Sequence, residues 1–182
     1  MDNKIIRIPH ELFALSESSR FEGSYQSDPL VLGADEYAFT KPLSYRVDVT
    51  NVGGAFLVQG NVFASVSTQC ARCLDPAYGE YTGDIEGYFL IDGESAAPED
   101  MEGDEYEYLN EEHTIDLEPL IRAALIMVLP QRPFCKEDCK GLCFECGANL
   151  NHETCECNKQ IHLVEEPSQP SRFDALKNYK FE

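Results

Sequence analysis

The spacing of the cysteines constrains this chain more than any other feature. Six of its eight cysteines fall between Phe134 and Cys157, in FCKEDCKGLCFECGANLNHETCEC, with the pattern C-x3-C-x3-C-x2-C-x8-C-x-C. A Cys-x2-Cys turn brings two sulfurs to one face of a tetrahedral ion, and a second close pair completes the shell. Cys143 and Cys146 form such a turn, and Cys155 and Cys157 such a pair. Gly141 and Gly147 flank the turn, where a knuckle that folds its backbone toward sulfur calls for positive φ. The other thiols, Cys70 and Cys73 in TQCARCLDP with Cys135 and Cys139, make a second candidate set of four. Eight thiols suit two zinc sites.

Three other chemistries compete. An even cysteine count suits a disulfide-stapled secreted domain. The opening residues, MDNKIIRIPHELF, show no basic n-region, apolar h-region or small-residue cleavage site, so disulfides rank below metal. An iron–sulfur cluster also takes four thiolates, but the usual C-x2-C-x2-C-x3-C and C-x4-C-x2-C runs are absent. A redox dithiol at Cys70 and Cys73, with Arg72 between them to favour a thiolate, lacks a thioredoxin-like βαβ pattern around it. Zinc held by four thiolates is a closed, structural site, whereas a catalytic zinc keeps one position open. His152 and His162 are minor alternatives, each able to replace one thiolate.

Charge is the second constraint. Acidic residues number 33 against 14 basic ones, a formal net charge of −19. Between Cys73 and Ile121 there is no lysine or arginine, while acids run from Asp75 through Asp92, Glu105 and Glu112 to Glu118. Nucleic-acid binding draws on lysine and arginine displacing counterions, so this field repels a phosphate backbone and favours a basic protein partner. The plain alternative is a solvated acidic loop that serves solubility. The longest apolar run, Ala123 to Leu129, is too short to span a bilayer, so neither a membrane nor a small-molecule substrate is expected, and the cytoplasm is the expected compartment.

The pattern along the chain predicts an α+β fold with an antiparallel β-rich core, a packed amphipathic helix and a Cys-rich, zinc-knuckle-like C-terminal segment. A chain of 182 residues, 43% of them hydrophobic, suits one domain. Its expected parts are a β-rich half over about 1–91, an acidic loop over about 92–112, a helix over about 116–129, the Cys-rich segment over about 134–158 and a tail over about 165–182. KIIRIP reads as an opening strand, HELFALSESS as a short helical turn, and the residues around Arg20 to Gln26 as another extended piece. From Leu43 to Cys70, β-branched and aromatic residues interrupted by Gly53-Gly54 spell a hairpin, with Val58, Gly60, Val62, Ala64 and Val66 on one face. YGEYTGDIEGYFLI continues the sheet after Asp75-Pro76. The aromatics Phe56, Phe63, Tyr78, Tyr81, Tyr88 and Phe89 are expected in the core rather than stacking on bases. Leu117, Leu120, Ile121, Ala124, Leu125 and Val128 recur at helical spacing, with Asp116 as the expected N-cap, Pro119 in the first turn and Pro130 as the stop. The closing RFDALKNYKF suits a short amphipathic helix through Phe173, Leu176 and Tyr179.

CARCL at Cys70 to Leu74, the β-rich half before it, the acidic connector, the helix ending in LP-x2-P, then GLCFECGANLN from Gly141 to Asn151 and a terminal RF-x2-L together resemble the YceD-like family. These are small bacterial and plastid proteins implicated in accumulation of large-subunit ribosomal RNA. The resemblance implies a ribosome biogenesis factor rather than an enzyme, with metal at the second cysteine cluster supporting the fold and not the shared activity. It brings large-subunit rRNA precursor into view as a partner beside a basic ribosomal protein or assembly factor. H-E-x2-H, P-loop and G-x-S-x-G signatures are all missing from the sequence, which leaves an enzyme reading without a recognisable motif. A zinc-stabilised acidic adaptor unrelated to ribosomes accounts for the residues without the resemblance.

Overall fold

A computed structural model describes residues 4–91, 101–103 and 105–157. The chain divides into two compact units, Met1–Cys139 and Lys140–Glu182. The first is strand-rich. Strand β1 (Ile5–Arg7) leads through a single 3-10 turn at His10–Phe13 into β2 (Ser18–Tyr25), β3 (Leu30–Leu32), β4 (Asp35–Phe39), β5 (Leu43–Asn51), β6 (Ala55–Gln69) and β7 (Pro76–Leu90). After them come β8 (Glu107–Tyr108), β9 (Thr114–Asp116) and α1 (Glu118–Val128).

The centre of the unit is the pair β6 and β7, in register from Ala55 opposite Leu90 to Gln69 opposite Pro76. On the other edge of β6, β5 pairs antiparallel along the first half of the strand and β4 along the second. Strand β2 extends the sheet beyond β5, and β3 extends it beyond β4. The Gly53-Gly54 corner of the β5–β6 hairpin has positive φ at both glycines, and the Asn51 side chain accepts the Gly53 amide to close it. Period-2 alternation sends Val58, Val62, Ala64 and Val66 of β6 and Val47 and Val49 of β5 to one buried face.

Helix α1 covers that face. Ile121 and Leu125 are fully buried against it, and Gly83 lets the two backbones meet. A Cβ at Gly83 would lie 2.8 Å from the Ala124 carbonyl oxygen. The helix starts slightly later than the sequence suggests. Leu117 holds the N-cap position, while the Asp116 carboxylate accepts the Glu118 amide at 3.0 Å. Leu129 is extended and Pro130 follows, its carbonyl accepting the Tyr37 hydroxyl.

Two expectations need amending. The end of the acidic segment is not wholly loop: Glu107–Tyr108 lies parallel to Phe89–Leu90, and Leu109 donates its amide to the Leu90 carbonyl. Pairing there satisfies the end of β7, so backbone hydrogen bonding overrides a composition that favours loop. Of the six sheet aromatics, Phe56 and Phe89 are in the core, but Phe63 and Tyr78 are on the solvent face, 46% and 75% exposed. The expected C-terminal helix through Phe173, Leu176 and Tyr179, His162 and the acids at 92–100 lie outside the described residues. Among the described residues, no helix is long and apolar enough to cross a membrane.

Candidate metal centres

In the first unit, β6 ends at Gln69 and a tight turn carries Cys70 and Cys73 to the start of β7. The turn is held by Leu74 donating to the Cys70 carbonyl at 2.9 Å and Cys70 donating to the Asp75 carbonyl at 2.8 Å. The segment after α1 returns to it. Ala71 donates to the Pro133 carbonyl, the Arg72 guanidinium donates to the Cys139 carbonyl at 3.1 Å, and the same guanidinium lies 4.4 Å over the Phe134 ring. These contacts bring Cys135 and Cys139 onto the turn. Cys70 Sγ is 3.7 Å from Cys139 Sγ, and Cys73 Sγ is 3.6 Å from Cys135 Sγ. All four sulfurs lie within 4.8 Å of one another.

That arrangement matches a tetrahedral thiolate shell. With metal–sulfur bonds of about 2.3 Å, the edge of a zinc–sulfur tetrahedron is about 3.8 Å. Cys70, Cys73 and Cys139 are buried and pack with Ala77 in a small cluster of their own, apart from the main core. Burial opposes ionisation of Cys70, but the amides of Cys135, Arg72 and Cys73 outweigh it and bring its thiol down to about 6. Burial pushes Cys73 and Cys135 up. Cys70 is therefore favoured as a thiolate over Cys73 and Cys135, and an entering cation would drive off the protons that remain.

The second unit builds its set locally. Gly147 donates to the Cys143 carbonyl and Cys143 to the Ala148 carbonyl, each at 2.8 Å, which closes the Cys-x2-Cys turn. Both flanking glycines have φ of 75°. A Cβ at Gly147 would meet nothing within 4 Å, so conformation and not space requires glycine there. Leu142 and Asn149 form an isolated bridge, Leu150 donates to the Gly141 carbonyl, and the Asn151 side chain accepts the Lys140 amide. The GLC-x2-CG-x-NLN run is thus a self-contained hairpin that presents Cys143 and Cys146 to Cys155 and Cys157.

These four sulfurs also lie within 4.8 Å of one another. Amides of Cys146 and Glu145 bring Cys143 down to about 7. Hydrogen bonding to the Cys143 thiol pushes Cys155 up, and the Cys146 thiol with burial pushes Cys157 up to about 12. All eight cysteines are free thiols. The two groups of four are those the spacing suggests, and His152 belongs to neither. Each set can hold a metal ion. Sequence reasoning passed over the Arg72–Phe134 contact, which locks the two cysteine segments together. An arginine inside C-x2-C and an aromatic just before the next cysteine are the signal that could have found it.

Relatives place these motifs in context. An uncharacterized protein of Mycobacterium tuberculosis is 39% identical over 119 residues, 65% of this chain and 56% of its own. The large ribosomal RNA subunit accumulation protein YCED homolog 1, chloroplastic, of Arabidopsis thaliana is 25% identical over 154 residues, 69% of this chain and 46% of its own. Its Zea mays namesake is 26% identical over 145 residues, 64% and 48% respectively. The chain thus spans about half the length of the curated relatives it matches. No solved structure matches. The family model for large ribosomal RNA subunit accumulation protein YceD matches residues 58–180, from the middle of β6 through both cysteine sets, and the chain belongs to that family.

Proposed function

We propose that this protein is a non-catalytic ribosome biogenesis factor that supports accumulation of large-subunit ribosomal RNA. The family match over residues 58–180 carries the reading, and the names of the plant relatives agree with it. Each cysteine set takes one zinc ion as a structural cross-link. Zinc would supply a tetrahedral charge centre that fixes chain segments; with four thiolate ligands it has no open position for substrate, so no catalytic role is assigned. Depleting the protein is expected to lower large-subunit rRNA relative to small-subunit rRNA in gradient profiles. Normal profiles would remove the reading and favour an adaptor unrelated to ribosomes.

The mode of action follows from charge. A net charge of −19 gives little of the counterion release that holds a protein on RNA. Complementary charge instead steers a basic ribosomal protein or assembly factor toward the acidic surface, shielding it from non-specific RNA until its site forms. The setting is the compartment where ribosomes are built, here taken as the cytoplasm. Changing the acids between positions 92 and 112 to their amides is expected to weaken capture of basic ribosomal proteins from growing cells. Direct crosslinks to precursor rRNA, undiminished by that change, would replace the protein-mediated route with an RNA-mediated one.

A further inference from the structure

Leu74, the last residue of CARCL, has a left-handed backbone with φ of 63° and a side chain 59% exposed. Both properties are unfavourable for leucine. In the left-handed region its Cβ crowds the following carbonyl, a position usually given to glycine or asparagine, and exposure wastes an apolar surface. The turn does not need a leucine. Its closing bond comes from the Leu74 amide, which asparagine would supply equally. A bulky residue held in strained backbone at the surface points to a role for the side chain itself.

The surroundings give that role a shape. Leu74, Pro76 and Tyr78 form the apolar side of a cleft of about 580 Å³ next to the start of β7. The opposite side carries Asp35 and Glu36 of β4, and neither carboxylate has an ion-pair partner among the described residues. No lysine or arginine lines the cleft. Tyr78, 75% exposed, also borders a neighbouring cleft, where Glu80 is already paired with Lys41 at 3.4 Å, so the unpaired carboxylates are those of the Leu74 cleft alone. Ser67, Thr68 and Gln69 of β6 complete the lining, and an apolar side with uncompensated carboxylates across a polar strand fits a basic polypeptide segment that lays one large apolar side chain against Leu74 and Tyr78.

We infer that the Leu74–Tyr78 groove is a docking surface for a basic peptide segment with a central apolar anchor, flanked by lysine or arginine that faces Asp35 and Glu36. This rests on the basic-partner reading above and adds the place and the side-chain chemistry of recognition. The strained turn joins the first metal set to the groove, because Leu74 directly follows Cys73 in the same turn. The acidic residues supply attraction from a distance, and Leu74 with Tyr78 selects the anchor.

Two synthetic peptides of equal positive charge test this on the full chain, one with a central phenylalanine and the other with serine in its place. Fluorescence anisotropy at physiological salt is expected to show the phenylalanine peptide bound about ten-fold tighter. Leu74→Asn and Tyr78→Ser are expected to reduce that preference to about two-fold, and Leu74→Asn to leave melting temperature unchanged or raised, since asparagine tolerates the backbone better. Asp35→Asn with Glu36→Gln is expected to weaken both peptides and flatten their salt dependence. A preference that survives Leu74→Asn overturns the docking surface. Equal binding of both peptides to the unaltered chain also overturns it while leaving the basic-partner reading in place; no binding of either removes both. Self-association lost in Leu74→Asn, seen by analytical ultracentrifugation, would assign the groove to a second copy of this chain and overturn the proposal.

Discussion

The two cysteine sets have the same chemistry and different positions in the chain, and the difference sets their energetic roles. Cys73 and Cys135 are separated by 62 positions and Cys70 and Cys139 by 69, so the first set closes loops that contain β7, β8, β9 and α1. The second lies within Cys143 to Cys157 and closes only its own hairpin. The first set is also the drier: Cys70 is 0% and Cys139 5% exposed, while Cys146 of the second set is exposed. A long loop loses more freedom on closure, although only logarithmically. The chain-entropy treatment of cross-links gives about 4 kcal/mol for a loop of roughly sixty residues and about 3 kcal/mol for one of fifteen. What separates the sites more is the structure each closure carries. A metal ion in the first would fasten the main sheet to the segment after its covering helix, and one in the second would fasten a hairpin to itself.

The largest expected effect therefore comes from Cys70→Ser with Cys139→Ser. Loss of about 4 kcal/mol lowers the melting temperature of a chain this size by about 10 °C or more in zinc-containing buffer. Cys146→Ser with Cys157→Ser is expected to lose half the bound zinc while amide exchange across β5, β6 and β7 stays native. Equal melting shifts from the two pairs would break the comparison. Acid separates them as well. Ligand thiols must be deprotonated to bind, so both sites lose metal in acid, and the exposed Cys146 gives proton and chelator readier access to the second set than the buried Cys70 and Cys139 give to the first. Lowering the pH from 8 toward 6 in the presence of a chelator should release the second ion before the first, read as two phases with a colorimetric zinc indicator.

The grouping of the sulfurs into two sets of four was legible in the sequence because close cysteine spacing limits which thiols can meet. The β5–β6–β7 core was legible for a similar reason: alternation of Val58, Val62, Ala64 and Val66 is a local record of which face is buried. Elements fixed by distant partners were less so. The β1 residues Ile5–Arg7 pair with Thr114–Asp116, more than a hundred residues away, and neither segment records that partnership. The two-residue β8 forms because the end of β7 offers a ladder, and its acidic sequence has no strand signature. Tyr78 and Phe63 looked like core residues because composition alone does not distinguish the two faces of a strand. The left-handed turn at Leu74 was hidden for a related reason: nothing in CARCL announces positive φ where the residue is leucine.

A smaller change sharpens the distinction from the helix side. Gly83→Ala would place a methyl 2.8 Å from the Ala124 carbonyl oxygen, a backbone atom that can yield only if α1 shifts from β7. Overpacking of this kind costs about 1–3 kcal/mol. The chain runs from the end of α1 through Pro133 to Cys135 and Cys139, so the shift should speed zinc release from the first set and leave the second set's release unchanged. Mass spectrometry under native conditions, following loss of each ion in turn, measures the two rates separately. Faster release from both sets would mean that the sites share more than the comparison allows.

The smallest effect is expected at Tyr25, at the end of β2. Its hydroxyl oxygen is buried and has no hydrogen-bond partner, so Tyr25→Phe removes an unsatisfied polar group and should raise stability by about 1 kcal/mol. Burial pushes this phenol up to about 12, with the Glu118 carboxylate adding to the shift and Arg122 opposing it. A folded-state value above the ordinary one near 10 gives a contribution that is fully present below about pH 10 and lost as pH rises toward 12. Tyr25→Phe should thus flatten the alkaline limb of the stability curve between those values, measured by urea unfolding at fixed pH steps. Strand β2 pairs with β5 in the sheet that carries Cys70 and Cys73 at one end of β6. If the first set stabilises the sheet as a whole, the gain at Tyr25 should slow zinc release from Cys70, Cys73, Cys135 and Cys139 and have no effect on release from the hairpin set.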